Sequence, residues 1–199
     1  MLINEAVAFL DKSIPDKTVG LPDEIFYFIS RVTPLVNVDL LVKDKQGRTL
    51  LAWRNDEQYG NAWHIPGGII RFKETVSQRI HKTGIKELGT EVSFLPEPIG
   101  IRQGFALNMD NRAHFISFLY RCFVPVDYVP NNAGKDRYDT GYLEWHECAP
   151  KNLQILQNDY RQFINDNMDQ KEYPCIKGKK ITFIDFDNKY RGEIIESAN

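Results

Sequence analysis

A glycine loop that runs into a helix with acidic residues is the feature that most constrains the fold of this chain. Pro66 precedes Gly67 and Gly68, and Glu74 and Glu87 frame the segment that follows. Glycine has no Cβ, so its backbone can approach a ligand closely. Carbonyl and carboxylate oxygens bind Mg²⁺, whose remaining positions go to phosphate oxygens and water. The pattern therefore predicts a site for one hard cation and a phosphate-bearing ligand.

The spacing of this segment resembles the Nudix box, G-x5-E-x7-R-E-U-x-E-E-x-G-U, in which U is an aliphatic residue. Gly68, Glu74, Glu87 and Gly89 match it in register. The resemblance implies a Nudix fold of the α/β (α+β) class, with a mixed β-sheet sandwiched between α-helices. Glu74 has two interpretations, as a residue of the site or as a first-turn acid that stabilises the helix dipole.

The departures from the box limit the number of metal ions. Lys82 and Thr83 replace its Arg-Glu pair, Gly84 takes the aliphatic position, and Lys86 replaces the first glutamate of the second pair. Because residues three or four apart share one helical face, only Glu87 remains as a carboxylate there. We expect at most one divalent ion, Mg²⁺, with Mn²⁺ as the alternative. Gly84 costs about 1 kcal/mol relative to alanine, which predicts close packing against a neighbouring backbone.

One branch of the superfamily, the GDP-mannose mannosyl hydrolases, has a similarly reduced box. The likeness extends to the segments 33–42, 50–54 and 62–68, in the same order and at nearly the same spacing, and covers roughly residues 22 to 147. It implies a Mg²⁺-dependent hydrolase of nucleoside diphosphate sugars, in which water attacks the anomeric carbon of the sugar. It also implies a homodimer.

The resemblance also assigns metal and catalytic residues. The carbonyl of Gly67 and the carboxylate of Glu87 match metal ligands, and Asp139 stands where the family has a glutamine. The base histidine of the family is replaced by Thr140, which cannot act as a general base. The base is therefore Asp139, Glu144 or another nearby group, or it is absent.

Further residues match substrate-binding positions of the family. They are Asp39, Arg54, Arg71, Lys82 and His114. Asp39 lies in the middle of an apolar strand, where an unpaired carboxylate is costly, and the guanidinium of Arg54 suits phosphate geometry. Arg71 would replace the family's arginine, whose position is taken by Ile69. For Lys82 a solvated helix position is an equal alternative, and for His114 a structural role is the alternative.

Three functions remain open. A nucleoside diphosphate sugar hydrolase needs one metal ion and an arginine to stabilise the leaving diphosphate, since the anomeric carbon contributes oxocarbenium character of its own. A conventional Nudix pyrophosphohydrolase catalyses attack on phosphorus. That reaction usually uses more metal ions than a single helix carboxylate can bind. A non-catalytic nucleotide-sugar sensor is the third possibility, because the base histidine is missing.

Composition is consistent with one domain that carries additions. The 199 residues, 42% of them hydrophobic, predict an N-terminal helical extension over 1–21, a core domain over 22–149 and a helix-and-strand extension over 150–199. The net charge of −2 gives no reason to expect nucleic acid or an anionic membrane as partner. The chain starts without a signal-peptide pattern and its cysteines lack metal or disulfide spacing, so we expect a cytoplasmic protein.

Hydrophobic periodicity predicts the individual elements. The expected helices cover residues 2–12, a segment that starts at 21, 75–88 and 150–168. The expected strands cover 36–43, 49–54, 91–94, 98–106, 113–125, 142–145 and 180–186. The N-terminal helices carry apolar faces that the core domain need not cover, which also favours a homodimer.

Overall fold

The structure is a computed structural model and describes residues 2–57, 59–106 and 109–165. The helices are α1 (Ile3–Ser13), α2 (Asp23–Val32), α3 (Val76–Thr83) and α4 (Arg161–Asn165), with a π-helical turn at Gly84–Leu88 and a 3-10 helix at Ile155–Tyr160. The strands are β1 (Leu35–Val42), β2 (Thr49–Arg54), β3 (Ala62–His64), β4 (Gly67–Ile69), β5 (Ser93–Phe94), β6 (Gly100–Phe105), β7 (His114–Phe123) and β8 (Leu143–His146).

The strands form two sheets of mixed direction. In the larger sheet β1 pairs in parallel with β7 and antiparallel with β4, and β7 pairs antiparallel with β5 and β6. The smaller sheet has the order β3-β2-β8 and is antiparallel throughout. This mixed sheet architecture confirms the predicted fold class.

Strands β1 and β2 are buried on both faces, which places them between two layers. Leu40 and Leu50 belong to a core cluster that includes Ile80 of α3 and Leu88 of the π-helical turn. The next residue on each strand, Leu41 and Leu51, belongs to a second cluster that includes Tyr160 and Ile164 of the C-terminal segment. Because successive side chains of a strand point to opposite faces, the sheets are sandwiched between α3 and the C-terminal segment.

The helical segment of the box covers residues 76–88, close to the predicted 75–88, but it is α-helical only as far as Thr83. Thr75 caps α3, its hydroxyl accepting from the Gln78 N–H at 3.1 Å while the Gln78 side chain accepts from the Thr75 N–H at 2.9 Å. At Gly84 the α-helix gives way to the π-helical turn. A Cβ at Gly84 would lie 2.9 Å from Val92 Cγ2 and 3.1 Å from the Thr90 carbonyl oxygen. The predicted close packing at Gly84 is confirmed.

Two predictions at the C-terminus have different outcomes. The helix predicted over 150–168 is wrong in its first part, because residues 151–154 run beside β3, with a bridge between Leu153 and Trp63. Helical structure begins at Ile155 as a 3-10 helix. The strand predicted over 180–186 lies outside the described residues. In the part of the chain that the structure describes, no helix is long and apolar enough to cross a membrane.

Candidate functional site

A pocket of about 390 Å³ lies beside the glycine loop. It collects side chains from both sheets, from α3 and from the C-terminal 3-10 helix. Several residues singled out in the sequence line it: Asp39, Arg54, Gly67, Gly68, Arg71 and Glu87. The glycine loop and the end of the box helix therefore meet at one pocket, as the spacing predicts.

The lining of this pocket is strongly cationic. Six basic residues line it, namely Arg54, Arg71, Arg79, Lys86, Arg102 and Arg112, and two carboxylates, Asp39 and Glu87, line it with them. Guanidinium groups bind phosphate and carboxylate oxygens through paired N–H donors. The charge of the pocket suits an anionic ligand that bears more than one phosphate.

Asp39 is buried within a network at the base of the pocket. Its side chain accepts hydrogen bonds from the Tyr160 hydroxyl at 2.7 Å and from the Asn37 amide at 3.4 Å. Burial raises the pKa of Asp39, and the nearby Arg102 guanidinium and the Tyr160 hydroxyl oppose that rise. A Cβ at Gly67 would lie 2.4 Å from Asp39 Oδ1. Only glycine therefore fits opposite this carboxylate.

Glu74 holds the start of α3 in place. Its carboxylate accepts from the Arg71 N–H at 2.9 Å and forms ion pairs with Arg79 at 2.6 Å and Lys82 at 3.0 Å. Burial alone would raise the pKa of Glu74, but the Arg71 N–H and the two cations outweigh it and lower the pKa. Glu74 does not line the pocket. These contacts favour the structural interpretation of this residue.

Glu87 presents its carboxylate to the pocket, and its side chain is 24% exposed. Lys86 Nζ lies 3.5 Å from Glu87 Oε1. Within the described residues, no group of three or more His, Cys, Asp or Glu side chains could hold a metal ion. Glu87 and Gly67 both line the pocket, so a carboxylate and a backbone carbonyl, which are oxygen ligands of the kind that Mg²⁺ prefers, are available there.

The other predicted residues lie outside the pocket lining. Asp139 accepts from the Asp136 N–H at 2.8 Å in an exposed loop. Glu144 pairs with Arg137 at 2.7 Å, Lys82 pairs with Glu74, and the His114 ring lies 2.9 Å from the Gln103 amide. The structure thus does not bring Asp139 and Glu144 together with Glu87. Gly89 ends the π-helical turn with φ 72°, a cap conformation that glycine adopts readily.

The loop of Asp139 still contributes to the pocket. Thr140 and Gly141 line it, although the carboxylate of Asp139 does not. Gly141 is anchored by its N–H, which donates to the Trp53 carbonyl at 2.8 Å. Thr140, the position at which the resemblance implies a base histidine, therefore lies at the pocket.

His64 is a pocket residue that the sequence analysis missed. Burial, and then the Arg54 charge, lower its pKa to about 4, so the ring is neutral at neutral pH. Nδ1 of the ring is buried and has no hydrogen-bond partner among the described residues. Its place at the end of β3, three residues before Gly67, was the only signal available in the sequence.

Other buried polar atoms of the lining also lack partners in the described structure. They are Asn37 Oδ1 and the Thr83 hydroxyl oxygen. A Cβ at Gly68 would lie 2.5 Å from that hydroxyl. Buried polar groups are usually hydrogen-bonded, so these atoms point to a polar ligand or water in the pocket. Neither residue carries a sequence pattern that identifies it.

Arg102, Arg112 and Tyr160 are further residues that sequence reasoning missed. Arg102 lies on β6 and is 5% exposed, with its guanidinium 5.4 Å from the centre of the Tyr160 ring. Tyr160 comes from the C-terminal segment, whose contribution the sequence left undefined. Long-range pairing brings these three residues together, so local patterns could not reveal them.

Comparisons with known proteins agree with the fold. No family model matches the chain. The low-salt glycan biosynthesis protein Agl8 of Haloferax volcanii is 33% identical over 76 residues, which are 38% of this chain and 48% of that protein. The match thus spans about half the length of this curated relative.

Solved structures show the same architecture. A MutT protein from Methanosarcina mazei Go1 has a TM-score of 0.52 at 18% identity, covering 70% of this chain and 98% of that one. A NUDIX hydrolase from Nitrosomonas europaea has a TM-score of 0.52 at 14% identity, covering 77% of this chain and 80% of that one. The chain therefore has the Nudix fold.

Proposed function

We propose that this chain is a Nudix-type hydrolase of nucleoside diphosphate sugars in which water attacks the anomeric carbon. The observation that carries the proposal is the composition of the pocket lining. Six basic side chains surround a glycine loop, and one helix carboxylate, Glu87, accompanies them. Such a site binds a diphosphate well and has few ligands for metal ions.

The reaction at carbon matches this distribution of charge. Cleavage of the sugar C–O bond leaves a nucleoside diphosphate, whose developing charge the arginines can stabilise in place. The oxocarbenium character of the sugar lowers the demand for a strong nucleophile. Attack on phosphorus commonly relies on two metal ions, and the described residues have no cluster of ligands for them.

A single Mg²⁺, or Mn²⁺ in its place, would be held by Glu87 and the Gly67 carbonyl. When bound, it would supply Lewis-acid stabilisation of the diphosphate charge. Arg54 would bind the diphosphate through its N–H donors, and Arg71 lines the same pocket and would contact the ligand as well. Asp139 would reach the ion only if its loop gave up the hydrogen bond to the Asp136 N–H.

We propose His64 as the proton acceptor, because its ring lines the pocket. The ring is neutral at neutral pH, since burial and the Arg54 charge lower its pKa to about 4. A neutral imidazole can orient a water molecule and accept its proton as the C–O bond breaks. Asp139 and Glu144 remain the earlier alternatives, although their carboxylates lie outside the pocket lining.

The named relative is consistent with a sugar-bearing substrate. Agl8 of Haloferax volcanii is named for glycan biosynthesis, and activated sugars are the substrates that such chemistry requires. The alternative function is a non-catalytic nucleotide-sugar sensor. The ammonium of Lys86, 3.5 Å from the Glu87 carboxylate, favours it, because it competes with a metal ion.

A substrate screen tests the proposal. The protein is incubated with GDP- and UDP-sugars and Mg²⁺, and released sugar is measured by chromatography. We expect turnover in the wild type, its loss in Glu87→Gln, and its retention in the control Glu91→Gln, which alters an exposed glutamate 3.2 Å from His81. Binding of nucleotide sugars without turnover would overturn the hydrolase and leave the sensor.

A further inference from the structure

Two arginines of the pocket are held by one buried carboxylate. Arg54 Nε lies 2.9 Å and Arg112 Nη2 3.2 Å from the same oxygen, Oδ2 of Asp56. The Asp56 side chain is 4% exposed, and its other oxygen accepts from the Tyr59 N–H at 3.1 Å. A carboxylate that is buried in this way fixes the positions of both guanidinium groups.

Arg112 is positioned by contacts from two parts of the fold, α2 and the loop that follows β2. Its backbone has φ 52°, a left-handed conformation that costs a non-glycine residue roughly 1–2 kcal/mol. Its N–H donates to the Ser30 hydroxyl of α2 at 3.0 Å, and its carbonyl accepts from the Tyr59 hydroxyl. Its guanidinium lies 5.8 Å from the centre of the Tyr59 ring. Such strain persists where the surroundings enforce it, often at functional sites.

The two guanidinium groups have more hydrogen-bond donors than Asp56 can accept, so donors remain for an anion. Two guanidinium groups carry about ten N–H donors, whereas one carboxylate accepts about four hydrogen bonds. The ion-pair arrangement also leaves one positive charge in excess. Both residues line the pocket, and their side chains remain 38% and 19% exposed.

The remaining arginines of the pocket have different surroundings. Arg79 pairs with Glu74 at 2.6 Å. Arg102 lies against the Tyr160 ring. Burial raises the pKa of the carboxyl groups of Asp39 and Asp159, and the positive charge of Arg102 partly opposes that rise. Arg54 and Arg112 differ from these two residues because they share one carboxylate oxygen, which brings their guanidinium groups close together.

We propose that Arg54 and Arg112 form an anion subsite that binds a diphosphate without a divalent ion, and that α2 positions it through Ser30. The identity of the anion as a diphosphate rests on the proposed function. The binding of an anion by the two arginines is independent of that function. The metal ion, held weakly by one carboxylate and one carbonyl, would then bind after the diphosphate and not before it.

Calorimetry tests whether the subsite binds a diphosphate in the absence of a divalent ion. Methylenediphosphonate, which resists hydrolysis, and GDP are titrated into the full chain in EDTA and at low salt. Both should bind. Arg112→Gln and Arg112→Gly should each weaken binding roughly tenfold to a hundredfold, because charge-assisted hydrogen bonds are lost. Ser30→Ala should weaken binding by a few-fold, and Arg48→Gln, which breaks a separate Arg–Asp pair at 2.6 Å outside the pocket lining, should not change it.

Arg112→Gly keeps the test independent of folding, because glycine adopts a positive φ readily. Wild-type protein that binds neither probe in EDTA would overturn the proposal, as would equal affinities of wild type and both Arg112 variants. Turnover of nucleotide sugars without binding in EDTA would refute this inference alone. Binding in EDTA without turnover of any nucleotide sugar would refute the proposed function and leave the subsite standing.

Discussion

Two glutamates of the box have separate roles that their spacing alone did not distinguish. Glu74 is enclosed by the Arg71 N–H, Arg79 and Lys82, whereas Glu87 faces the pocket. Both glutamates match positions of the Nudix box, and this match predicts only that they lie near the glycine loop. The partners of Glu74 decide its role, and Arg79 lies outside the positions that the box defines. Such a choice becomes visible only when side-chain contacts are known.

Glu74→Gln should lower the free energy of unfolding by about 1–3 kcal/mol, because hydrogen bonds to a charged acceptor are lost in a buried site. Glu87→Gln should change it by less than about 0.5 kcal/mol, as is usual for partly exposed positions. Urea denaturation of the two variants measures both values. A larger loss of stability in Glu87→Gln than in Glu74→Gln would contradict these roles.

The low pKa of His64 predicts a dependence of stability on pH. The folded ring has a pKa of about 4 against an ordinary value of 6.5. Between these values the unfolded chain binds a proton that the folded chain does not, so acid lowers the free energy of unfolding by up to about 1.4 kcal/mol per pH unit. This contribution is fully present above about pH 6.5 and is lost as the pH falls towards about 4.

Urea unfolding of wild type and His64→Gln at several pH values isolates this contribution. The stability of the wild type relative to the variant should fall as the pH is lowered from about 6.5 to about 4. Parallel pH profiles for the two proteins would show that His64 titrates normally in the folded state.

Among the elements, most of the described strands and the start of the box helix could be predicted from local pattern, whereas the short strands β3 and β4 were not predicted. Alternation of side chains located β1 and β2, and the observed cap at Thr75 is a local motif. The π-helical turn and the C-terminal segment could not be predicted. The turn depends on the approach of residues 90–92 to Gly84. The non-helical course of 151–154 depends on its bridge to Trp63. Both contacts are absent from any short window of sequence.

Gly84→Ala should destabilise the protein despite the better helix propensity of alanine. The propensity gain is about 1 kcal/mol. The new methyl group would lie 2.9 Å from Val92 Cγ2 and 3.1 Å from the Thr90 carbonyl oxygen, and overpacking costs about 1–3 kcal/mol. We expect a lower melting temperature in thermal denaturation. Ser77→Ala, at an exposed position of α3, is the control and should have little effect. A more stable Gly84→Ala protein would mean that the helix can move away from residues 90–92.

At the scale of the whole molecule, some residues of the pocket could be predicted from the sequence and others could not. The glycine loop, Glu87, Arg54 and Asp39 meet at one pocket, because the box and its flanking strands determine their positions. Asp139 belongs to a loop whose turn hydrogen bonds set the direction of its side chain. The C-terminal segment lines the pocket with Gln154, Leu156 and Gln157. Its Tyr160 donates a hydrogen bond to Asp39, which is 121 residues away in sequence. A hydrogen bond between residues so far apart in sequence cannot be recognised from a local sequence pattern.

The homodimer remains a prediction at this scale. Helix α1 has no buried residue, and Val7 and Phe9 are 52% and 64% exposed. Burial of such side chains is worth about 1.5–3 kcal/mol each, so a second copy of the chain would gain stability by covering them. Light scattering coupled to size-exclusion chromatography should give twice the monomer mass at micromolar concentration. A monomer mass, or a dimer that persists unchanged in Phe9→Ser, would contradict a dimer formed through α1.

The central claim is that water attacks the sugar and not phosphorus. ³¹P NMR of a turnover reaction in ¹⁸O-labelled water, with Mg²⁺ and a nucleoside diphosphate sugar, decides it. Attack on the sugar should leave an intact nucleoside diphosphate without ¹⁸O on either phosphorus, because the C–O bond breaks and the label enters the sugar. Formation of nucleoside monophosphate and sugar phosphate, with ¹⁸O bound to phosphorus, would rule out attack on the sugar and identify a conventional pyrophosphohydrolase.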